Sequence, residues 1–531
     1  MERSELRSRL LAICVRFCLL VAVMISIPSI AAASSSATSS SSTLDTSALD
    51  AYVVKLMGDY DIPGVGLAIV QNGKVVYVKG YGVRDVTTGA PVTPDTQFPI
   101  ASLTKSFTSL GVMLLVQQGK VGLDEPVTKY IPEFRLSDPD ATAKVTVRNL
   151  LSHPTGLARN DAIALDPTLT RDDVLKMIAT QPLQSQPGEQ FAYSNLNTTA
   201  AGVLIERMSG QTWEDYTRDK IFVPLGMDTA TLSVGAMQAT PNFARPHQID
   251  VLKGNEPIPF LSVPSGAPAG AVNASAAEMA RYVQFQLGNG AFNGRRLLSP
   301  ELMEEMHRTQ IVVPSLNQGA NAAMAANAQG QLAPVNLITD TGYAFYWITE
   351  KFEGHPIVWH DGATPGFSPL MMLIPETQSG VVILTNAHFM QPFDQVLRQH
   401  LAEVLLGIVP QHDMEQIFED QAKVFGTDNA TRRAQLAAAR SYKADPSDLQ
   451  ALVGEYASLT GDKPSRVSVV NGKLMLDLSL QGVSAETELI PYAQRGFIGN
   501  DGFAKGWPIT FAKGQDGKTT LTIQGIRVAE K

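Results

Sequence analysis

Apolar positions along this chain change their spacing in blocks. In "ALDAYVVKLMGDY" they recur at a helical period closed by "DIPG", which predicts a helix over about 48–60. Next, "VGLAIVQNGKVVYVKGYG" places two alternating or apolar runs on either side of Asn72-Gly73. An Asn-Gly pair between such runs favours the left-handed backbone of a tight hairpin, so the sheet starts antiparallel. From "LTKSFTSLGVMLLVQQGK" to about Met306 the period is mostly helical, interrupted by "HPTG", "QSQPGEQ" and "VPLGM". Strand-like runs return in "HPIVWHDG", "SPLMMLIPE" and "GVVILTN". Strands at both ends of a helical middle predict an α+β fold. One antiparallel sheet is flanked by helices, its halves come from distant parts of the chain, and a mostly helical region at about 124–306 is inserted.

After "LRQHLAEVLLGIVP" a polar helical stretch runs to about Ala444. Residues 447–531 have short strands, glycine turns at Asn471-Gly472 and Asp516-Gly517, and no helical period. That pattern predicts a small antiparallel barrel or sandwich. It carries no polar cluster of catalytic type, so it reads as a binding or packing module. The expected organisation is a main domain over 48–412, a helical linker over 413–446 and the barrel over 447–531. Residues 317–334, "NQGANAAMAANAQGQLAP", have no period and read as a surface insertion or as a mobile lid ahead of the strand carrying His360.

The N-terminus differs from everything after it. Arg3, Arg7, Arg9 and Arg16 precede an apolar run of 11 residues, Phe17 to Ile27, which Pro28 closes before the small residues "AAA". This order predicts a secretory signal over 1–33, with an uncleaved anchor as the alternative, and the run is short for a bilayer span. Ser/Thr-rich residues 34–47 read as a flexible spacer. The expected location is periplasmic or secreted, with no stable membrane span once the signal is removed. Both cysteines, Cys14 and Cys18, lie inside the signal, so the exported chain has no disulfide, thiol nucleophile or cysteine-ligated zinc. Without residues 1–33 the chain has 38 basic and 49 acidic residues, a net charge of −11. That balance gives no footprint for nucleic acid and does not restrict a small neutral substrate. Nothing in the sequence specifies an oligomeric state.

Candidate chemistry begins at "FPIASLTKSF". Leu103, Phe107, Leu110 and Leu114 mark an apolar helix face, and Ser102, Lys105, Ser106 and Ser109 form a second, polar stripe at i, i+3, i+4 and i+7. On a buried helix such a stripe must meet partners or cost several kcal/mol. A serine hydroxyl attacks a carbonyl only when a base takes its proton, and a lysine one turn away is within hydrogen-bond reach. Burial and the positive end of a helix both favour the neutral amine, and free N–H groups there can face an oxyanion. Alone, Ser-x-x-Lys occurs by chance about once in a chain this long. Two further motifs accompany it. "PGEQFAYSNLN" supplies Tyr193 as a phenolic proton carrier and Asn195 as a donor and acceptor for a substrate amide. "VWHDGATPGF" supplies His360 and Gly362 on a strand, where glycine lets a substrate backbone come close.

In this order Ser102-x-x-Lys105, Tyr193-x-Asn195 and His360-x-Gly362 resemble the three motifs of the serine β-lactamase and D,D-peptidase superfamily, on its class C side. "VTVRNLLSHPTGL", "YSNLNTTAAGVLIERMSG" and "IFVPLGMDTATL" are similar to its supporting stretches, and the likeness spans roughly 50–408. The segment opening with "LVGEYASL" is similar to lipocalin-like domains appended to such hydrolases. The resemblance implies catalytic roles for Ser102 as acylated nucleophile, Lys105 as its base or the base's activator, and Tyr193 as proton donor to the leaving group. It implies substrate contacts from Asn195, His360 and Gly362, with His360 alternatively tuning Tyr193, and an oxyanion hole from the N–H groups of Ser102 and Ala363. The implied substrate is a small molecule or short peptide, cleaved without cofactor or metal. Family β-lactamases usually carry Lys-Thr-Gly where this chain has His360-Asp361-Gly362. Imidazole is largely neutral above about pH 7 and does not hold a carboxylate as an ammonium does. This ranks a peptidase or esterase above a true β-lactamase, with a penicillin-sensing protein that acylates without turnover as the further alternative. His153 reads as a loop-stabilising residue, Glu206 and Asp215 as solvated helix-face residues, and His355 with His360 as a poor metal pair.

Overall fold

The computed structural model describes residues 44–531 apart from 161–162, 164–165, 167, 251–253, 314–323, 327–331, 335–336, 388–392, 410–412, 414, 418, 420–428, 459–462, 481–482, 501–506, 515–516 and 524–525. The expected signal, most of the spacer, Asp516 and most of the 317–334 segment therefore lie outside the described residues. Helix α1, Thr46–Asp59, starts where the Asp45 carboxylate accepts the free backbone N–H groups of Ser47 and Ala48. That cap starts the helix two residues inside the expected spacer.

Strands β1 (Gly64–Gln71) and β2 (Lys74–Asp85) form the predicted hairpin. Asn72 and Gly73 both take positive φ, 52° and 70°, as a two-residue turn requires. The sheet then collects β3 (Ala90–Pro91), β4 (Ile311–Val312), β5 (Ile338–Tyr343), β6 (Ile348–Phe352), β7 (His355–Asp361), β8 (Leu370–Ile374) and β9 (Ser379–Thr385). Its nine strands run in the order β4-β5-β6-β7-β8-β9-β1-β2-β3. β1 pairs antiparallel with β9, Val65 opposite Thr385, so the first hairpin is joined to strands more than 300 residues later. Every residue of β8 and β9 is buried, which their unbroken apolar runs require of strands covered on both faces.

Between these halves lie α2 (Thr104–Gln117), α3 (Asn195–Ser209) and α4 (Ala276–Leu287), and after them α5 (Phe393–Leu406). α2 is buried continuously from Thr104 to Leu115 and packs on α3, while α4 lies on β1 and β9. Residues 447–531 do contain a helix, contrary to their expected all-strand pattern. Helix α6, Asn429–Ala439, is followed by α7, Pro446–Leu452, which Asp445 caps through Ser447 N–H and Pro446 opens. Beyond it, eight antiparallel strands from β10 (Gly454–Ser458) to β17 (Ile526–Glu530) close into a barrel. Leu474, Leu476 and Leu478 alternate inward on one of them, Lys473–Leu480, and meet Tyr456, Phe497 and Phe511. Among the described residues no helix is long and apolar enough to cross a membrane.

Candidate active site

Ser102 lies in a single 3-10 turn, Ala101–Leu103, that leads directly into α2. Ala101 has φ of 44°, a left-handed conformation that costs an alanine on the order of 1–3 kcal/mol and persists only where packing enforces it. Ile100 and Leu103, both fully buried, hold the turn from either side. One helical turn on, Lys105 is wholly buried, and its Nζ lies 3.0 Å from Ser102 Oγ and 2.9 Å from the Ala269 carbonyl oxygen. Tyr193 arrives from the loop before α3, and its hydroxyl donates to Ser102 Oγ at 2.8 Å. Lys105 Nζ also stands 4.9 Å from the centre of the Tyr193 ring, and the Arg159 guanidinium stands 5.4 Å from it. Hydroxyl, amine and phenol thus converge although 91 residues separate Ser102 from Tyr193.

The predicted polar stripe divides. Ser106 donates to the Leu103 carbonyl and Ser109 to the Ser106 carbonyl, so only its first two members bond each other at the nucleophile. Asn195, the first residue of α3, lines the same cleft, as do His360, Gly362 and Ala363. The cleft has a volume of about 590 Å³. Gly362 has a different reason to be glycine than the one expected. A Cβ there would stand 2.8 Å from Ser102 N and 2.9 Å from Ala101 Cβ. The backbone that approaches this strand closely is that of the nucleophile turn itself.

His360 is 3% exposed, and both of its ring nitrogens are engaged within the protein. Nδ1–H donates to the Asp361 carbonyl, which leaves Nε2 to accept the Tyr343 O–H at 3.0 Å. Burial, reinforced by the nearby Lys105 charge, lowers its pKa to about 3, so the imidazole is neutral. Burial also holds the Tyr343 phenol well above its usual range. His153 ends the short helix Val147–Ser152 with φ of 73° and is fully buried. Its Nδ1 accepts Ser194 N–H at 3.4 Å and lies 3.2 Å from Asn197 Nδ2, and its ring packs 4.8 Å from that of Tyr193. The loop that His153 stabilises is therefore the one carrying Tyr193. Burial first, then Lys105, keeps it far below the ordinary imidazole pKa.

Three contributors lacked a sequence signal: Tyr343, Arg159 and the Ala269 carbonyl. Glu206 is not a solvated face residue; it pairs with Arg171 and accepts Trp213 N–H. His355 pairs with Glu376, and no group of potential metal ligands occurs among the described residues.

Residues 49–406 match the family described as Beta-lactamase. The chain is similar to "Unguisins hydrolase ungD'" of Aspergillus campestris (strain IBT 28561), 30% identical over 386 residues that cover 70% of this chain and 68% of the relative. Among solved structures it resembles an octameric penicillin-binding protein homologue from Pyrococcus abyssi, with TM-score 0.60 and 24% identity over 92% of this chain and all of that one. It also resembles "EstCE1, a hydrolase with promiscuous acyltransferase activity", with TM-score 0.54 and 19% identity over 66% of this chain and 97% of that one. At these identities the two structures speak for the fold alone. With most of its length matched, the chain belongs to the beta-lactamase family and is a serine hydrolase of that fold.

Proposed function

We propose that the protein is an exported hydrolase that cleaves a small amide or ester, or a short peptide, through an acyl-serine intermediate on Ser102. The observation that carries this reading is convergence on one atom, Ser102 Oγ, which lies 3.0 Å from Lys105 Nζ and 2.8 Å from the Tyr193 hydroxyl. Lys105 takes the Ser102 proton as Oγ attacks the substrate carbonyl carbon, and its bond to the Ala269 carbonyl fixes the direction of the amine. Negative charge then collects on the carbonyl oxygen and is met by the N–H groups of Ser102 and Ala363. Tyr193 passes a proton to the departing nitrogen or oxygen, and the bond to the leaving group breaks. Asn195 orients the substrate amide. Water then attacks the acyl-serine, loses its proton to the same groups and releases the acid, restoring the Ser102 hydroxyl.

Peptidase or esterase action ranks above β-lactam hydrolysis because position 360 supplies a neutral, internally bonded imidazole and no fixed cation for a substrate carboxylate. The hydrolase name of ungD' agrees with hydrolytic chemistry. Export to the periplasm or the medium is supported by the arginine-rich, apolar, small-residue order of residues 1–33.

The test presents the purified protein with a D-Ala-D-Ala peptide, a short-chain ester and a chromogenic cephalosporin. Ester or peptide turnover that Ser102→Ala abolishes is expected. Activity near wild type in that variant ends the proposal. Fast cephalosporin hydrolysis makes the protein a β-lactamase, and fluorescent penicillin that stays bound for hours without release makes it a receptor.

A further inference from the structure

A second cavity, of about 450 Å³, adjoins the cleft. Leu261, Val263, Gly270, Thr364 and Pro365 border both spaces, so the two share one wall. Arg159, Phe191, Tyr193, Asn195 and Tyr343 line only the cleft. Phe222, Leu232, Phe260 and Phe367 give the second cavity its surface, with Phe260 and Phe367 stacked at 6.2 Å between ring centres. Its charged members are already paired, Arg218 with Asp215 and Asp219, and Glu214 with Arg171. Asn273 Nδ2 is likewise committed, to the Thr231 hydroxyl and to the carbonyls of Ser233 and Ala271. A ligand entering here meets aromatic and aliphatic groups, paired charges and, at the border with the cleft, the buried Thr364 hydroxyl. Such walls suit hydrocarbon and penalise a charge.

We propose that this cavity is an acyl-chain subsite, taking a saturated acyl chain of several carbons that reaches it from the cleft past the residues bordering both. The proposal rests on Ser102 being the nucleophile. Its direction follows from the chemistry. Tyr193 hands a proton to the leaving group, so the leaving group departs beside Tyr193. The substituent on the acyl carbon then extends toward the walls that Tyr193 does not line. The cavity is of small-molecule size, and each methylene buried in it raises binding about fourfold.

The experiment compares p-nitrophenyl acetate, butyrate and octanoate on the wild type, Ala236→Trp and Ala230→Trp. Ala236 is exposed and Ala230 half-buried against the core, and both line only the second cavity, so an indole at either position occupies it. The wild type is expected to gain about tenfold or more in kcat/KM from acetate to octanoate. Both variants are expected to lose most of that gain while acetate turnover stays within about twofold of wild type. The same chain-length profile in all three proteins, or no rise in the wild type, overturns the proposal. Acetate turnover that Ser102→Ala abolishes upholds the nucleophile whatever octanoate does. Absence of Ser102-dependent acetate turnover overturns that reading, and the subsite with it.

Discussion

The cleft and the barrel bury side chains of opposite kinds. Around Ser102 the interior hides Lys105, Thr108, His153 and His360, each bonded to a group from another part of the chain. Inside the barrel the buried groups are Tyr456, Leu474, Leu476, Phe497 and Phe511, and there volume does the work. Where direction matters, moving one atom alters a rate. Where only volume matters, removing atoms alters stability and leaves chemistry elsewhere untouched.

The sharpest way to break this contrast is to remove one oxygen from the cleft. Tyr193→Phe keeps the ring against Lys105 and His153 but deletes the proton carrier, and should lower kcat by about 10²–10⁴-fold in steady-state assays. An unchanged kcat would mean that the phenol transfers no proton. Gly362→Ala tests position without deleting a reacting group. The new methyl meets Ser102 N at 2.8 Å and should displace the nucleophile turn, costing about 10²-fold in kcat with the protein still folded. The complementary change is Leu476→Ala, which should cost the barrel about 2–5 kcal/mol by calorimetry. Ester kcat at 25 °C should stay within about twofold, because Leu476 packs in a core of its own, separate from the one around the cleft, and sites with no shared partners act independently.

The smallest effect is a slope. His360 stays neutral in the folded protein down to about pH 3, whereas in the unfolded chain it takes a proton below about pH 6.5. Between those values the unfolded state binds more protons, so this group's contribution is full above about pH 6.5 and falls as the pH falls. Wild type minus His360→Asn should therefore lose stability at about 1.4 kcal/mol per pH unit between pH 6 and 4. A flat difference would mean that the imidazole is not neutral in the fold. Comparing the two proteins matters, because buried Asp394 and Glu403, both raised to about 7, act in the opposite direction over part of this range.

What could be read in the sequence was what local chemistry marks. The Asn72-Gly73 and Asn471-Gly472 hairpins follow from two residues each, all four of which take positive φ. Ser102 and Lys105 meet because helical spacing brings i and i+3 together, and the ordered motifs named the rest of the cleft. The Ala269 carbonyl left no such mark, since any residue supplies a carbonyl. Tyr343, the Tyr193-supporting role of His153 and the true neighbour of Gly362 depend on how distant segments pack, which spacing along the chain does not encode. Helix α7 was missed because a short capped turn preceding a strand has too few residues to show a period.

Acylation of Ser102 is read out by intact-protein and peptide mass spectrometry after brief exposure to p-nitrophenyl acetate and acid quench. One added acetyl group is expected, mapped to Ser102, and none on the Ser102→Ala protein. An acetyl group on another side chain, carried equally by both proteins, would contradict it.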